Sequence, residues 1–112
     1  MAANAQPGAT SYTVKNVETV VGGKDVRARV FTLAPGEVIP WHSHSEVADH
    51  FFILGGELTV ETRAPDDHLT LGIGERYQIK AGVAHQTSNR GAADCRFLLI
   101  QGVGRYDFKG AT

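Results

Sequence analysis

The feature that most limits the fold is a series of short β-prone segments, each ended by glycine, proline, asparagine or aspartate. Residues 26–33 alternate strongly, which is the period-two pattern of an extended strand. Residues 49–54 form an apolar run that ends at Gly55 and Gly56, and residues 57–62 alternate directly afterwards, which predicts a hairpin. About nine or ten such segments, with turns roughly 8–12 residues apart and no helical stripe, predict an all-β sandwich or jelly-roll barrel.

The chain has 112 residues, which is the length of one domain. Residues 1–10 are small and polar, so we expect a flexible N-terminal arm followed by a β-barrel domain over residues 11–112. The first residues lack the basic and apolar regions of a signal peptide, and no apolar run approaches the ~20 residues of a membrane helix. A single cysteine, Cys95, excludes an intrachain disulfide. Together these features predict a cytoplasmic protein.

The charge pattern limits the classes of molecule that we expect to bind the chain. The chain carries 11 basic and 12 acidic residues, for a net charge of −1, and it has no basic block longer than two residues. Nucleic acid and anionic membrane surfaces are therefore not expected to bind it. We expect a small-molecule substrate or ligand instead.

A His-x-His pair is the strongest chemical signal in the chain. In an extended strand, His42 and His44 would lie on one face, about 7 Å apart. Two imidazoles near a carboxylate supply most of a metal site. A flat strand cannot surround an ion, so a third ligand has to come from a distant strand. His85 follows a turn at Gly82 and opens a polar segment, which makes it the best candidate.

The spacing around these histidines resembles the two sequence motifs of the cupin superfamily. The first motif reads Gly36, five residues, His42-Ser43-His44, four residues, Asp49, six residues and Gly56. The second motif reads Gly74, five residues, Lys80, one residue, Gly82, two residues, His85, three residues and Asn89. The sequence departs from the family pattern at two positions, because Asp49 stands in place of a glutamate and Lys80 in place of a proline.

The resemblance implies a small jelly-roll β-barrel, also called a double-stranded β-helix, that assembles as a homodimer. It also implies one divalent transition metal ion, with Fe, Mn, Ni, Cu and Zn all compatible with the ligand types. The metal ligands would be His42, His44 and His85. Asp49 is one methylene shorter than the usual glutamate, so it could be a fourth ligand or a base beside the ion.

Other side chains are candidates for a substrate pocket. They are Trp41 beside the histidine pair, Thr87 and Asn89 on the face of His85, and Arg96 in an otherwise apolar segment. Arginine meets a carboxylate through two parallel hydrogen bonds, so Arg27, Arg29 and Arg76 are further candidates for binding an acidic substrate.

Three functions fit these features. The leading hypothesis is a metal-dependent enzyme on a small oxygenated or acidic organic substrate, with dioxygenase-type chemistry favoured. The second is a metal-dependent isomerase or lyase of sugar-derived acids, in which the ion polarises a carbonyl group. The third is a metal or small-molecule binding module without catalysis. Fold alone does not separate them.

Overall fold

A computed structural model describes residues 12–111, and this part of the chain consists of strands, turns and loops. None of the described residues forms a helix that is long and apolar enough to cross a membrane. The predicted arm over residues 1–10 lies outside the described residues. The strands are β1 (Asn16–Gly22), β2 (Val26–Leu33), β3 (Val38–Ser43), β4 (Ala48–Gly55), β5 (Leu58–Thr62), β6 (Asp67–Leu71), β7 (Arg76–Ile79), β8 (His85–Ser88), β9 (Cys95–Gly102) and β10 (Lys109–Gly110).

The strands form two five-stranded antiparallel sheets. Sheet one has the order β1-β2-β9-β4-β7, and sheet two has the order β10-β3-β8-β5-β6. Successive strands cross repeatedly from one sheet to the other, as they do in a jelly roll. The all-β jelly-roll prediction is therefore confirmed.

The predicted hairpin between residues 49–54 and 57–62 is wrong. Strand β4 pairs with β7 and β9 in sheet one, whereas β5 pairs with β6 and β8 in sheet two. The glycine pair between them carries the chain across the sandwich instead of reversing it within one sheet. Gly56 has a φ of 69°, and a Cβ at this position would lie 2.4 Å from the carbonyl oxygen of Asp94. The crossing therefore requires a residue without a side chain.

The core lies between the two sheets and is built on aromatic rings. Phe97 of β9 stacks on Phe31 of β2 with ring centroids 5.3 Å apart, and it contacts Phe51 of β4 at 5.6 Å. In β9, every second residue is buried, and the inward series ends in a polar side chain, Gln101. One end of the sandwich interior is therefore polar, and the candidate site lies there.

Candidate metal centre

Four potential metal ligands converge from both sheets at this end of the sandwich. His42 lies in β3, His44 directly follows β3, and His85 opens β8, all in or beside sheet two. Asp49 lies in β4 of sheet one. One ligand atom from each of the four lies within 4.8 Å of the other three, and all four residues are buried. His42 and His85 are cross-strand partners, which places their ring centroids 4.2 Å apart.

Backbone hydrogen bonds orient all three imidazoles. Each ring donates its Nδ1–H to a carbonyl oxygen, which can only accept. The pairs are His42 to Pro40 at 2.7 Å, His44 to Asp107, and His85 to Val83 at 2.9 Å. With the proton on Nδ1, each neutral ring presents the lone pair of Nε2. Such outer hydrogen bonds commonly fix the tautomer of histidines that bind metals.

Asp49 closes the group from the opposite sheet. Its Oδ2 lies 3.0 Å from Nε2 of His85 and 3.4 Å from Nε2 of His44. Its Oδ1 accepts a hydrogen bond of 2.9 Å from Nε2 of Gln101, its cross-strand partner on β9. The shortened carboxylate is therefore held with one oxygen toward the histidines and the other tied to sheet one.

Gln101 is a site residue that the sequence analysis did not identify. Its Oε1 accepts a 3.0 Å hydrogen bond from Arg29, which has only donors, so its amide nitrogen must face Asp49. The same nitrogen lies 3.4 Å from Nε2 of His44, which fits a ring whose proton is on Nδ1. The alternation of β9 carried a signal, because Gln101 continues the inward series of residues 95, 97 and 99.

The electrostatics of the group favour unprotonated nitrogen at His42 and an ionised carboxylate. Burial, together with the neighbouring His85 and His44, lowers the pKa of His42 to about 3. Burial alone would raise the pKa of Asp49. When a second proton on Nε2 lets His44 and His85 donate to the carboxylate, these hydrogen bonds hold the pKa of Asp49 well below its usual range, and an ion would take the place of those protons. Burial would lower the pKa of His44, but the carboxylate of Asp49 outweighs this effect and raises it.

The donor set and its spacing fit a first-row divalent ion. Imidazole nitrogen and carboxylate oxygen bind such ions at about 2.1 Å, so two ligands would lie about 3.0 Å apart at a right angle and about 3.4 Å apart at a tetrahedral angle. The separations of Asp49 from His85 and His44, 3.0 and 3.4 Å, match these values. The side chains are thus arranged as ligands before any ion binds.

The cavity beside the four ligands is small. Its volume is about 20 Å³, which is room for one water molecule or one ion. Its lining consists of the four ligands and Tyr12, Phe31, Ile39, Phe51, Thr87, Leu99, Gln101, Tyr106 and Phe108. Thr87, predicted as a pocket residue, is among them.

Three aromatic rings separate the cavity from the outside. Phe108 stacks on His42 at 4.2 Å and on Tyr12 at 5.7 Å, and Tyr106 lies 5.3 Å from His44. Tyr106 and Phe108 belong to residues 103–108, which connect β9 to β10. This connection therefore places two aromatic rings against the histidines of the group.

The other three predicted pocket residues do not line the cavity. Trp41 alternates with the inward His42, so its ring lies on the outer face of β3, where the guanidinium of Arg63 covers it at 3.8 Å. Arg96 is exposed because β9 directs it away from the core. Asn89 is buried but lies beyond the end of β8.

Asn89 instead organises the loop between β8 and β9. Its Nδ2 donates to the carbonyl oxygens of Leu33 and Ala93, both at 2.8 Å, and its Oδ1 accepts from the backbone nitrogen of Gly91 at 2.9 Å. All of its bonds are made to backbone groups, so the side chain has no direction left for a substrate.

Solved structures share this fold at low sequence identity. The chain is similar to an uncharacterized conserved protein with a double-stranded β-helix domain from Klebsiella pneumoniae subsp. pneumoniae (TM-score 0.72, 21% identity, covering 92% of this chain and 84% of that one). It is similar to KdgF from Halomonas sp. (TM-score 0.71, 15% identity, covering 84% of this chain and 88% of that one). It is also similar to an oxalate oxidase (TM-score 0.70, 19% identity, covering 78% of this chain and 46% of that one). At these identities the likeness establishes the fold alone.

No curated protein sequence matches the chain significantly. The sequence model of the cupin domain, in contrast, matches residues 29–101, which is more than half of the chain and includes all four candidate ligands. The protein therefore belongs to the cupin domain family.

Proposed function

We propose that this protein is a metal-dependent enzyme that acts on a small oxygenated or acidic organic substrate, with dioxygenase-type chemistry. One observation carries the proposal: three buried imidazoles, each with Nδ1 bonded to a backbone carbonyl, point Nε2 at a buried carboxylate within 4.8 Å. Burying such a cluster costs folding free energy, and clusters of buried titratable side chains are concentrated at functional sites.

Each side chain has a defined part in this proposal. His42, His44 and His85 would hold a divalent transition metal ion, and Asp49 would be the fourth ligand, because its Oδ2 lies 3.0 and 3.4 Å from Nε2 of His85 and His44. The bound ion would supply Lewis-acid or redox chemistry. Gln101 orients the carboxylate, and the rings of Tyr106 and Phe108 line the cavity beside it.

The choice of oxygen chemistry has one further support. An oxalate oxidase is among the structures with this fold, so the same barrel accommodates oxidation of a small acid in another protein. Isomerase or lyase chemistry on sugar-derived acids, and metal binding without catalysis, are the alternative outcomes of the experiments below.

The first experiment is metal analysis of the protein purified without a histidine tag. We expect the chain to take up close to one ion, whereas less than ~0.1 ion per chain after remetallation would refute the enzyme proposal, since a competent site fills by mass action. His85→Ala should abolish the binding. His68→Ala is the matched control, because His68 is exposed on β6 and lies outside the group.

The second experiment measures oxygen consumption by the metal-loaded protein with catechols, flavonols, diketones and small acids. Consumption that requires both the substrate and His85 would support the dioxygenase assignment. Turnover of a sugar-derived acid without oxygen consumption would favour the isomerase or lyase alternative.

We also propose that the protein is a homodimer. Val20 and Val21 on the edge strand β1 are 58% and 60% exposed, and an open edge with apolar side chains is prone to pairing. Light scattering after size exclusion measures the mass directly, and a monomer at all concentrations would refute this proposal.

A further inference from the structure

Two guanidinium groups pack against Tyr106, one of the residues that line the cavity. Arg27 and Arg29 stand two residues apart on β2, and both contact the ring of Tyr106. The Cζ atoms lie 3.7 Å and 5.7 Å from the centroid of that ring, which itself lines the cavity. Arg29 is also bonded to Gln101, the residue that orients Asp49. One residue therefore separates each cation from a metal ligand: Tyr106 lies between Arg27 and His44, and Gln101 lies between Arg29 and Asp49.

Neither cation has a charged partner within residues 12–111. No ion pair in this range includes Arg27 or Arg29, and the Nε atom of each is buried without a hydrogen-bond partner. Arg29 bonds to the amide oxygen of Gln101 and to Tyr106. Burial raises the pKa of Tyr106, so its phenol is neutral near pH 7 and supplies no negative charge.

Two adjacent, partly buried cations without an anion are electrostatically unfavourable. Burial lowers the pKa of Arg27 and the charge of Arg29 lowers it further, whereas Tyr106 and Tyr12 act in the opposite direction. Partly buried charges in proteins are normally paired. A carboxylate matches this arrangement, because its two oxygens accept the parallel N–H groups of guanidinium.

We propose that Arg27 and Arg29 form a carboxylate-binding site, and that the ligand is a small organic acid whose second oxygen-bearing group reaches the four metal ligands. The first half of this proposal stands on the arginine pair alone, and the second half rests on the proposed function.

Tyr106 has to leave its position for the acid to enter, because about 20 Å³ does not hold a carboxylic acid. The backbone on both sides of Tyr106 is anchored. Gly104 donates to the carbonyl oxygen of Asp25 at 2.9 Å, and Asp107 accepts from the backbone nitrogen and hydroxyl of Ser45 at 2.7 and 2.6 Å. In this proposal the Tyr106 side chain rotates while its anchored backbone and β10 stay in place, and the rotation uncovers the two guanidinium groups that its ring contacts.

The test compares the binding of acids and their neutral amides by calorimetry. The probes are glycolate, lactate, malonate and succinate, each beside its amide, titrated into the metal-free and the metal-loaded protein. We expect at least one acid to bind and its amide to bind more weakly. Arg27→Gln and Arg29→Gln should each raise the Kd of the acid by about tenfold or more, since hydrogen bonds between charged groups are lost.

Arg96→Gln is the matched control. It removes the same charge from an exposed position on β9 and should leave acid binding unchanged. If a glutamine variant does not fold, Arg27→Lys and Arg29→Lys replace it, because an ammonium group keeps the charge but cannot bind a carboxylate in two parallel bonds. Their acid binding should also weaken.

Two results would overturn the carboxylate site: no acid binds the wild-type protein in either state, or acids bind the variants as tightly as the wild type. Metal content measured on the same samples separates this from the enzyme proposal. Arginine-dependent acid binding by a protein that takes up no metal would support the carboxylate site and refute the proposal of a metal-dependent enzyme. Metal uptake without arginine-dependent acid binding would refute the site alone.

Discussion

Replacing Gln101 with leucine should weaken metal binding without disrupting the sandwich. Gln101 is buried, and its Nε2 donates a 2.9 Å hydrogen bond to Oδ1 of Asp49. Leucine has a similar volume but no donor, so the carboxylate would lose its attachment to sheet one.

The size of the effect follows from the orientation that this bond gives the carboxylate. The bond is already present without an ion, so only the loss of the oriented ligand, and not the whole bond energy, changes the metal affinity. Removal of outer hydrogen bonds at metal sites typically costs about 10–100-fold in Kd, and we expect a loss in that range. Arg29 also loses its acceptor, but it does so in the metal-free and the metal-bound state alike. That loss lowers the stability of the fold and leaves the metal affinity unaffected.

The assay is a competition titration of Zn²⁺ or Mn²⁺ against a chromophoric chelator, with urea denaturation of the metal-free protein measured in parallel. Gln86→Leu is the matched control. Gln86 lies next to His85 on β8, but its amide bonds to Glu61 at 3.2 Å, away from the ligands. A wild-type Kd for Gln101→Leu, or an equal loss for Gln86→Leu, would refute the orienting role of Gln101.

Three further changes test other parts of the structure. Asn89→Ala removes three hydrogen bonds, one buried and two partly buried, and should lower the free energy of unfolding in urea by about 3 kcal/mol while metal affinity stays the same; a substrate-binding role would give the opposite pattern. Gly56→Ala should lower the free energy of unfolding by about 2 kcal/mol or more, because residue 56 has a positive φ and a Cβ there would meet the backbone of Asp94. A wild-type urea midpoint would contradict the crossing between sheets at this glycine. Burial raises the pKa of Cys95 to about 11, so a thiol reagent at pH 8 should react with it only after denaturation. Rapid labelling of the native protein would show that Cys95 is accessible.

Strand geometry made the His42 and His44 pair predictable, and the resemblance to the two cupin motifs pointed to Asp49 and His85 as its partners. His42 and His44 share a face by the period of an extended strand, and His85 lies opposite His42 in the neighbouring strand. The path of the chain after β4 was not predictable in the same way. An alternating segment after two glycines is compatible with a return in one sheet and with a crossing to the other, and only the packing against Asp94 decides between them.

The pocket lining was harder to predict, because β9 is apolar on both faces. The period of two places Gln101 on the face of residues 95, 97 and 99 and Arg96 on the other, but because both faces are apolar the sequence does not show which of them points inward. The position of Tyr106 and Phe108 beside the cavity depends on contacts between residues that are far apart in the sequence. Nothing local to Tyr106 indicates that its ring lies against arginines of β2.

The four ligands come from opposite sheets, with the histidines on sheet two and Asp49 on sheet one. An ion held by all of them would join the two sheets as a cross-link does. A ligand that binds only the folded chain raises its stability with the logarithm of the free ligand concentration. Because proteases act on the unfolded fraction, the lifetime of this protein in a cell would rise and fall with the supply of the metal. Its abundance would then follow metal availability without any separate regulator.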